Sequence, residues 1–162
     1  MSTASDILES TLVGMGQVAV ASKPSCLTAI LGSCVGVALY HPRLHAGALA
    51  HVVLPDSSGR GAGPPGKFAD AAVPCMVRQL EQLGANRSGL VAKIAGGACM
   101  FGASGPLQIG DANIEAVVKA LAAAGVRLAG QDTGGAKGRR IQFHSGTGEL
   151  AVEIAGQLSR TL

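Results

Sequence analysis

The stretch Leu31-Gly32-Ser33-Cys34-Val35-Gly36-Val37-Ala38-Leu39-Tyr40 decides how the rest of the chain is read. From Cys34 to Tyr40 it is almost continuously apolar, the pattern of a strand buried on both faces. The reversal His41-Pro42-Arg43-Leu44-His45 is short, so the next apolar run, Leu49 to Leu54, is expected to pair with it as an antiparallel hairpin. Cys34 would then lie near the free end of one strand and His51 part way along the other, close enough for their side chains to meet.

That juxtaposition has chemical content. A nucleophilic thiol needs a base or cation beside it and hydrogen-bond donors for the oxyanion it creates. The Gly32-Ser33 turn leaves backbone N–H groups next to the Cys34 sulfur, and the second apolar run carries a single histidine, His51. The same residues also fit a plain structural reading, because free cysteine is among the most buried residue types and a strand histidine is often a satisfied core group. Spacing alone does not choose between the two.

Upstream, Gln17-Val18-Ala19-Val20 is expected to form a strand that breaks at Ser22-Lys23-Pro24, and Cys26 to Leu31 a second one that brings Thr28 toward the side Cys34 faces. Residues 1–13 show no period and are expected to be a polar N-terminal tail, ahead of one domain over 14–162. Downstream, Pro55 to Gly66 is rich in Gly, Ser and Pro and is expected to be loop, either covering the site or inserted on the surface.

The spacing of Ala72, Val73, Met76, Val77, Leu80 and Leu83 predicts an amphipathic helix over Phe68–Leu83, closed by Gly84. Pro74 implies either a kink or a helix that begins there. Leu90 to Ala95 is expected to be a strand, followed by the glycine-rich run Gly96-Gly97-Ala98-Cys99-Met100-Phe101-Gly102. That run lacks the register of a phosphate-binding loop, so it is read as close backbone approach near the site.

A second amphipathic helix is expected over Asp111–Ala124 with Asp111 or Asn113 as its cap, then strands at Val126–Ala129, Arg140–Phe143 and Glu149–Ile154. The basic, glycine-rich segment from Asp132 to Arg140 reads as either an anion site or a charged surface turn.

Composition narrows the function classes. At 162 residues the chain can bury a core without disulfides, and that core is built from small side chains: aromatics are 2% of the residues and Trp is absent. A net charge of +3 with so few stacking groups argues against nucleic acid as a partner. The four cysteines, Cys26, Cys34, Cys75 and Cys99, have no metal-ligand spacing, and reduced thiols in a cytoplasmic protein fit them best. Pro24 to Pro42 has no Asp, Glu, Lys or Arg, but Ser25, Thr28, Gly32, Ser33 and Gly36 interrupt it, so two strands are expected and no membrane insertion.

Taken together, Leu31-Gly32-Ser33-Cys34-Val35, Ala50-His51 and Leu54-Pro55 resemble the chemoreceptor glutamine deamidase family, CheD. Lys93-Ile94 with Gly96-Gly97-Ala98 and Met100-Phe101, Ile109-Gly110 with Asn113, and Asp132-Gly134-Gly135 with Gly138-Arg139 resemble further family blocks in the same order. Ala95 departs from the pattern, standing where the family usually has a bulky aromatic.

The resemblance implies an α+β fold, a layered α/β/β sandwich of mostly antiparallel strands flanked by helices, similar to cysteine-dependent glutamine deamidases. It implies Cys34 as nucleophile, His51 as its partner and Thr28, six positions before the cysteine, as third member. Gly32, Ser33, Gly96 and Gly97 are the oxyanion and substrate-loop candidates, with no metal and no cofactor required. The implied substrate is the cytoplasmic part of a chemotaxis receptor, whose glutamines become glutamates with loss of ammonia.

Two alternatives stand beside this. One is a regulatory binding protein partnered by a CheC-type phosphatase, with secondary or no catalysis. The other is an unrelated thiol hydrolase of small molecules.

Overall fold

A computed structural model describes residues 10–58, 63–99, 109–155, 157 and 159–162. Its described residues form two five-stranded sheets and two helices, the α+β class expected from the sequence. The central sheet has the order β2-β5-β4-β6-β7: β2 (Val18–Ala21), β5 (Ala46–Val52), β4 (Val35–His41), β6 (Val91–Gly96) and β7 (Arg127–Thr133). The outer sheet has the order β1-β3-β8-β9-β10: β1 (Ser10–Leu12), β3 (Cys26–Leu31), β8 (Arg139–His144), β9 (Glu149–Ile154) and β10 (Arg160–Thr161). Only β1–β3 and β6–β7 pair in parallel.

Strand alternation builds the layers. Along β4, Val35, Val37 and Leu39 face α1 (Ala69–Gln82) and α2 (Ile109–Ala124), where they join Ala48, Ala50 and Val52 of β5 in one core with Met76, Leu80, Val117 and Leu121. The intervening positions face the outer sheet, so Cys34, Ala38 and Leu49 pack with Leu27, Ala29, Leu31, Ile141 and Phe143 in a second core. Both faces of β4 and β5 are therefore dry, which is why Cys34–Tyr40 reads as unbroken apolar sequence. The β4–β5 hairpin pairs antiparallel as expected, with Val35 opposite Val52 and Gly36 opposite His51.

Small side chains set the spacing of the two sheets. A Cβ added to Gly36 would stand 2.5 Å from Ile141 Cδ1, so the outer sheet closes onto bare backbone at that point.

Several expectations are corrected. Residues 10–13, assigned to the loose tail, carry β1 and the buried Val13, while 1–9 lie outside the described residues. The strand escapes a periodicity reading because Ser10, Thr11 and Leu12 are all exposed and are held by backbone pairing to β3. Helix α1 begins a turn before Pro74, which sits inside it and leaves the Asp70 carbonyl without its usual intrahelical donor. Helix α2 begins at Ile109, so Asn113 lies inside the helix and is not its cap.

Of the Pro55–Gly66 loop, residues 59–62 lie outside the described residues, and Ser57 at its start bonds the Asp70 carboxylate at 3.1 and 2.9 Å. In the basic segment, Arg139 is spent internally on Asp132 at 3.1 Å, with both side chains at most a tenth exposed. It is a buried ion pair and not a free anion site.

Candidate functional site

Cys34 and His51 are both nearly closed to solvent, 7% and 4% exposed, and both belong to the layer between the sheets. The register explains this. Cys34, Gly36 and Ala38 share one face of β4, and Leu49 and His51 share the same face of β5. Because Gly36 is the direct partner of His51, the imidazole lies over a residue without a side chain, and Cys34 is its diagonal neighbour, two residues along.

The imidazole is held at one nitrogen. His51 Nδ1 lies 2.9 Å from the carbonyl oxygen of Val13. A carbonyl only accepts, so Nδ1 carries the proton and Nε2 of the neutral ring is left with its lone pair free. Nε2 is buried and has no hydrogen-bond partner among the described residues, so no bond yet joins it to the Cys34 sulfur. An unpartnered basic nitrogen in a dry layer is costly for a purely structural histidine, and is what a general base poised beside a thiol requires.

Burial pushes the Cys34 thiol above the ordinary cysteine value. Burial therefore disfavours the thiolate here relative to an exposed cysteine. A protonated thiol needs a base to take its proton as the sulfur attacks a carbonyl, and His51 Nε2 is an unpartnered basic nitrogen in the same layer.

Thr28 is not brought to the imidazole. Leu27, Ala29 and Leu31 of β3 point into the inter-sheet core, so Thr28, one residue out of phase, points the other way and donates its hydroxyl to Thr11 O at 3.3 Å. The contact at His51 Nδ1 is made by the Val13 carbonyl. Thr28 reaches His51 only through β1, because its own carbonyl accepts the Val13 N–H at 2.7 Å. Nothing in sequence spacing flags a backbone carbonyl as a site group.

The turn carrying Cys34 is gripped through three successive carbonyls. Ala98 N donates to Gly32 O at 3.0 Å, Asn113 Nδ2 to Ser33 O at 3.0 Å, and Gly97 N to Cys34 O at 2.8 Å. This accounts for the glycine pair after β6. Gly96 has φ 107°, and a Cβ there would collide with Cys34 O, so a side chain is excluded both by backbone conformation and by space. With the carbonyls held, the N–H groups of Ser33 and Cys34 are left without hydrogen bonds among the described residues, as donors for an oxyanion must be.

A buried thiol, an imidazole with a free nitrogen and unspent N–H groups together make an acyl-transfer constellation. No group of three or more His, Cys, Asp or Glu placed to hold a metal occurs among the described residues. Comparison with known proteins specifies the relationship. Residues 53–154 match the family described as CheD chemotactic sensory transduction, and a probable chemoreceptor glutamine deamidase CheD of Symbiobacterium thermophilum is 48% identical over 90% of this chain and 92% of its own. The chain belongs to the CheD family.

The chemoreceptor glutamine deamidase CheD of Thermotoga maritima is 44% identical, again over 90% of this chain and 92% of its own. Among solved structures, the Bacillus licheniformis hypothetical protein YfiH superposes with a TM-score of 0.49 at 18% identity, over 72% of this chain and 50% of that one. The family match begins at residue 53, downstream of Cys34 and His51, so the turn carrying Cys34 is covered by the two relatives and not by that match. No described helix is long and apolar enough to cross a membrane.

Proposed function

We propose that this protein deamidates glutamine side chains of methyl-accepting chemotaxis receptors through a thioester on Cys34. The observation that carries the reading is His51, with Nδ1 fixed by the Val13 carbonyl and Nε2 unpartnered in the layer that holds Cys34, in a chain that belongs to the CheD family.

The chemistry is acyl transfer to water. His51 Nε2 accepts the thiol proton as the Cys34 sulfur bonds to the amide carbon, and the carbonyl pair moves onto oxygen, facing the N–H groups of Ser33 and Cys34. The intermediate collapses as the carbon–nitrogen bond breaks, and the imidazolium gives its proton to the departing nitrogen, which leaves as ammonia. Water, deprotonated by His51 Nε2, then attacks the thioester carbon. The carbon–sulfur bond breaks, glutamate is released and the thiol regains its proton.

Gly32, Gly96 and Gly97 shape the turn, and Thr28 acts through β1. The substrate segment belongs to the receptor's cytoplasmic part, so the protein acts in the cytoplasm.

The test is incubation with a receptor cytoplasmic fragment and mass spectrometry of its peptides. Cleaving the amide to an acid adds about one dalton per converted glutamine, with none in the Cys34→Ala protein. No gain with the unaltered protein, or equal gain with Cys34→Ala, sinks the proposal. A CheC-type phosphatase is proposed as a further partner. Its recovery in a pull-down from the native cell supports the pairing, and a negative result in a purified binding assay removes it.

A further inference from the structure

Asn113 lies on the second helix, is wholly buried, and touches neither Cys34 nor His51 through its side chain in any recorded hydrogen bond. Its Nδ2 donates both hydrogens, one to Ser33 O at 3.0 Å and one to Val53 O at 2.9 Å. Ser33 directly precedes the cysteine, and Val53 stands two residues beyond the histidine. One side-chain amide thus ties the nucleophile turn to the end of the strand that bears the base. The amide's orientation is fixed by its partners, since a flipped Asn113 would aim Oδ1 at two carbonyl oxygens.

A planar trans peptide points its C=O and N–H in opposite directions. Helix α2 packs on the side of the central sheet away from the outer sheet, so holding Ser33 O toward Asn113 turns the Cys34 N–H the other way. That is the inter-sheet side, where the cysteine and histidine side chains lie.

Resting on the deamidase reading above, we infer that Asn113 is the positioning residue of the oxyanion site: it holds the Ser33–Cys34 peptide so that the Cys34 N–H faces the oxygen on which charge develops. A second observation separates this from plain packing. Asn113 Oδ1 is buried with no partner among the described residues, so the side chain leaves an acceptor unsatisfied while supplying its two donors. An apolar side chain would leave Ser33 O and Val53 O without these donors, so what the position supplies is the pair of bonds and not the filling of space.

The test separates oxyanion chemistry from access to the thiol. Asn113→Ala and Asn113→Asp are compared with the unaltered protein in ammonia release from a receptor cytoplasmic fragment and in alkylation of Cys34 by iodoacetamide, a displacement that forms no oxyanion. The expected result is a kcat lower by about a hundredfold, the lower end of the range for a lost oxyanion donor, with KM unchanged. Alkylation at Cys34 and its pH dependence should stay as in the unaltered protein. Unchanged kcat overturns the inference, and so does a kcat loss matched by an equal change in alkylation, which would mean general disorder of the turn. If the unaltered protein releases no ammonia, the deamidase reading itself has failed and takes this inference with it.

Should neither variant fold, the unaltered protein decides. A peptide aldehyde with glutamine replaced by its semialdehyde forms a hemithioacetal: the sulfur adds to the aldehyde carbon, the carbonyl pair goes to oxygen, and the thiol proton passes to His51. The Cys34 amide proton should then move downfield in the NMR spectrum, and no movement overturns the inference.

Discussion

His51 Nδ1 sits 2.9 Å from the Val13 carbonyl oxygen, so the imidazole is oriented by the main chain just after β1 and not by a side chain. β1 is three residues long and, among the described residues, pairs only with β3, where Thr28 accepts the Val13 N–H at 2.7 Å and donates its hydroxyl to Thr11 O at 3.3 Å. The orientation of the imidazole therefore depends on a short, exposed strand. Removing the Thr28 hydroxyl should loosen it.

Thr28→Val is accordingly expected to lower kcat and, in parallel, the hydrogen-exchange protection of the Val13 amide. The change costs about 1 kcal/mol of local stability, the usual worth of one hydrogen bond. Activity loss with Val13 protection intact would mean that the hydroxyl acts on the imidazole directly.

The Cys34 thiol yields a pH prediction. Burial disfavours the charged thiolate, so the folded value lies above that of an exposed cysteine, about 8.5. Alkylation by iodoacetamide should be slow at neutral pH and rise through a midpoint above that value. The same shift carries a sign for stability. Above the unfolded value the unfolded chain has lost this proton while the folded chain still holds it, so this group makes stability fall as pH rises from the unfolded toward the folded value. Cys34→Ala should flatten that alkaline decline in urea unfolding. An alkylation midpoint below 8.5 would show a cation near the sulfur and remove the neutral-thiol mechanism.

How much of this was legible in the sequence differs from residue to residue. The two-faced burial of β4 and its pairing with β5 were, because Cys34–Tyr40 contains no charged side chain and the reversal to Ala46 is short. The glycine pair Gly96-Gly97 announced close approach, and the structure supplies the object, the Cys34 carbonyl. Where the Thr28 side chain points was not legible, because linear spacing ignores strand parity. One step along β3 turns a residue from the inter-sheet core to the outer face. Val13 and the two carbonyls held by Asn113 were invisible because they act through backbone atoms, which every residue carries.

Arg139 and Asp132 form the buried ion pair at 3.1 Å, and Arg139 Nη1 also points to Gly96 O at 3.5 Å, beside the glycine that supports the nucleophile turn. Asp132 has a second cation, Arg160, but it is 3.6 Å away and largely exposed. Arg139→Ala leaves a buried carboxylate short of its main partner and is expected to cost about 3 kcal/mol. Arg160→Ala should cost less than about 1 kcal/mol, as exposed pairs do. Equal costs by urea unfolding would show that the burial of the first pair confers no special weight.

Gly36 offers the sharpest packing test, because it is the direct partner of His51 and its missing side chain is what lets Ile141 close over the hairpin. A methyl group there would stand 2.5 Å from Ile141 Cδ1 and 3.2 Å from Leu31 Cδ1, too near for either to remain in place. Gly36→Ala should therefore destabilise the protein by about 1–3 kcal/mol through overpacking. It should also lower kcat, since the sheets must part beside the imidazole. Ile141→Val removes the nearest methyl, so combining it with Gly36→Ala should recover part of both losses, giving a coupling of about 1 kcal/mol in a double-mutant cycle. Strictly additive costs would mean that the strain is taken up elsewhere and that the inter-sheet distance over His51 is not set by this contact.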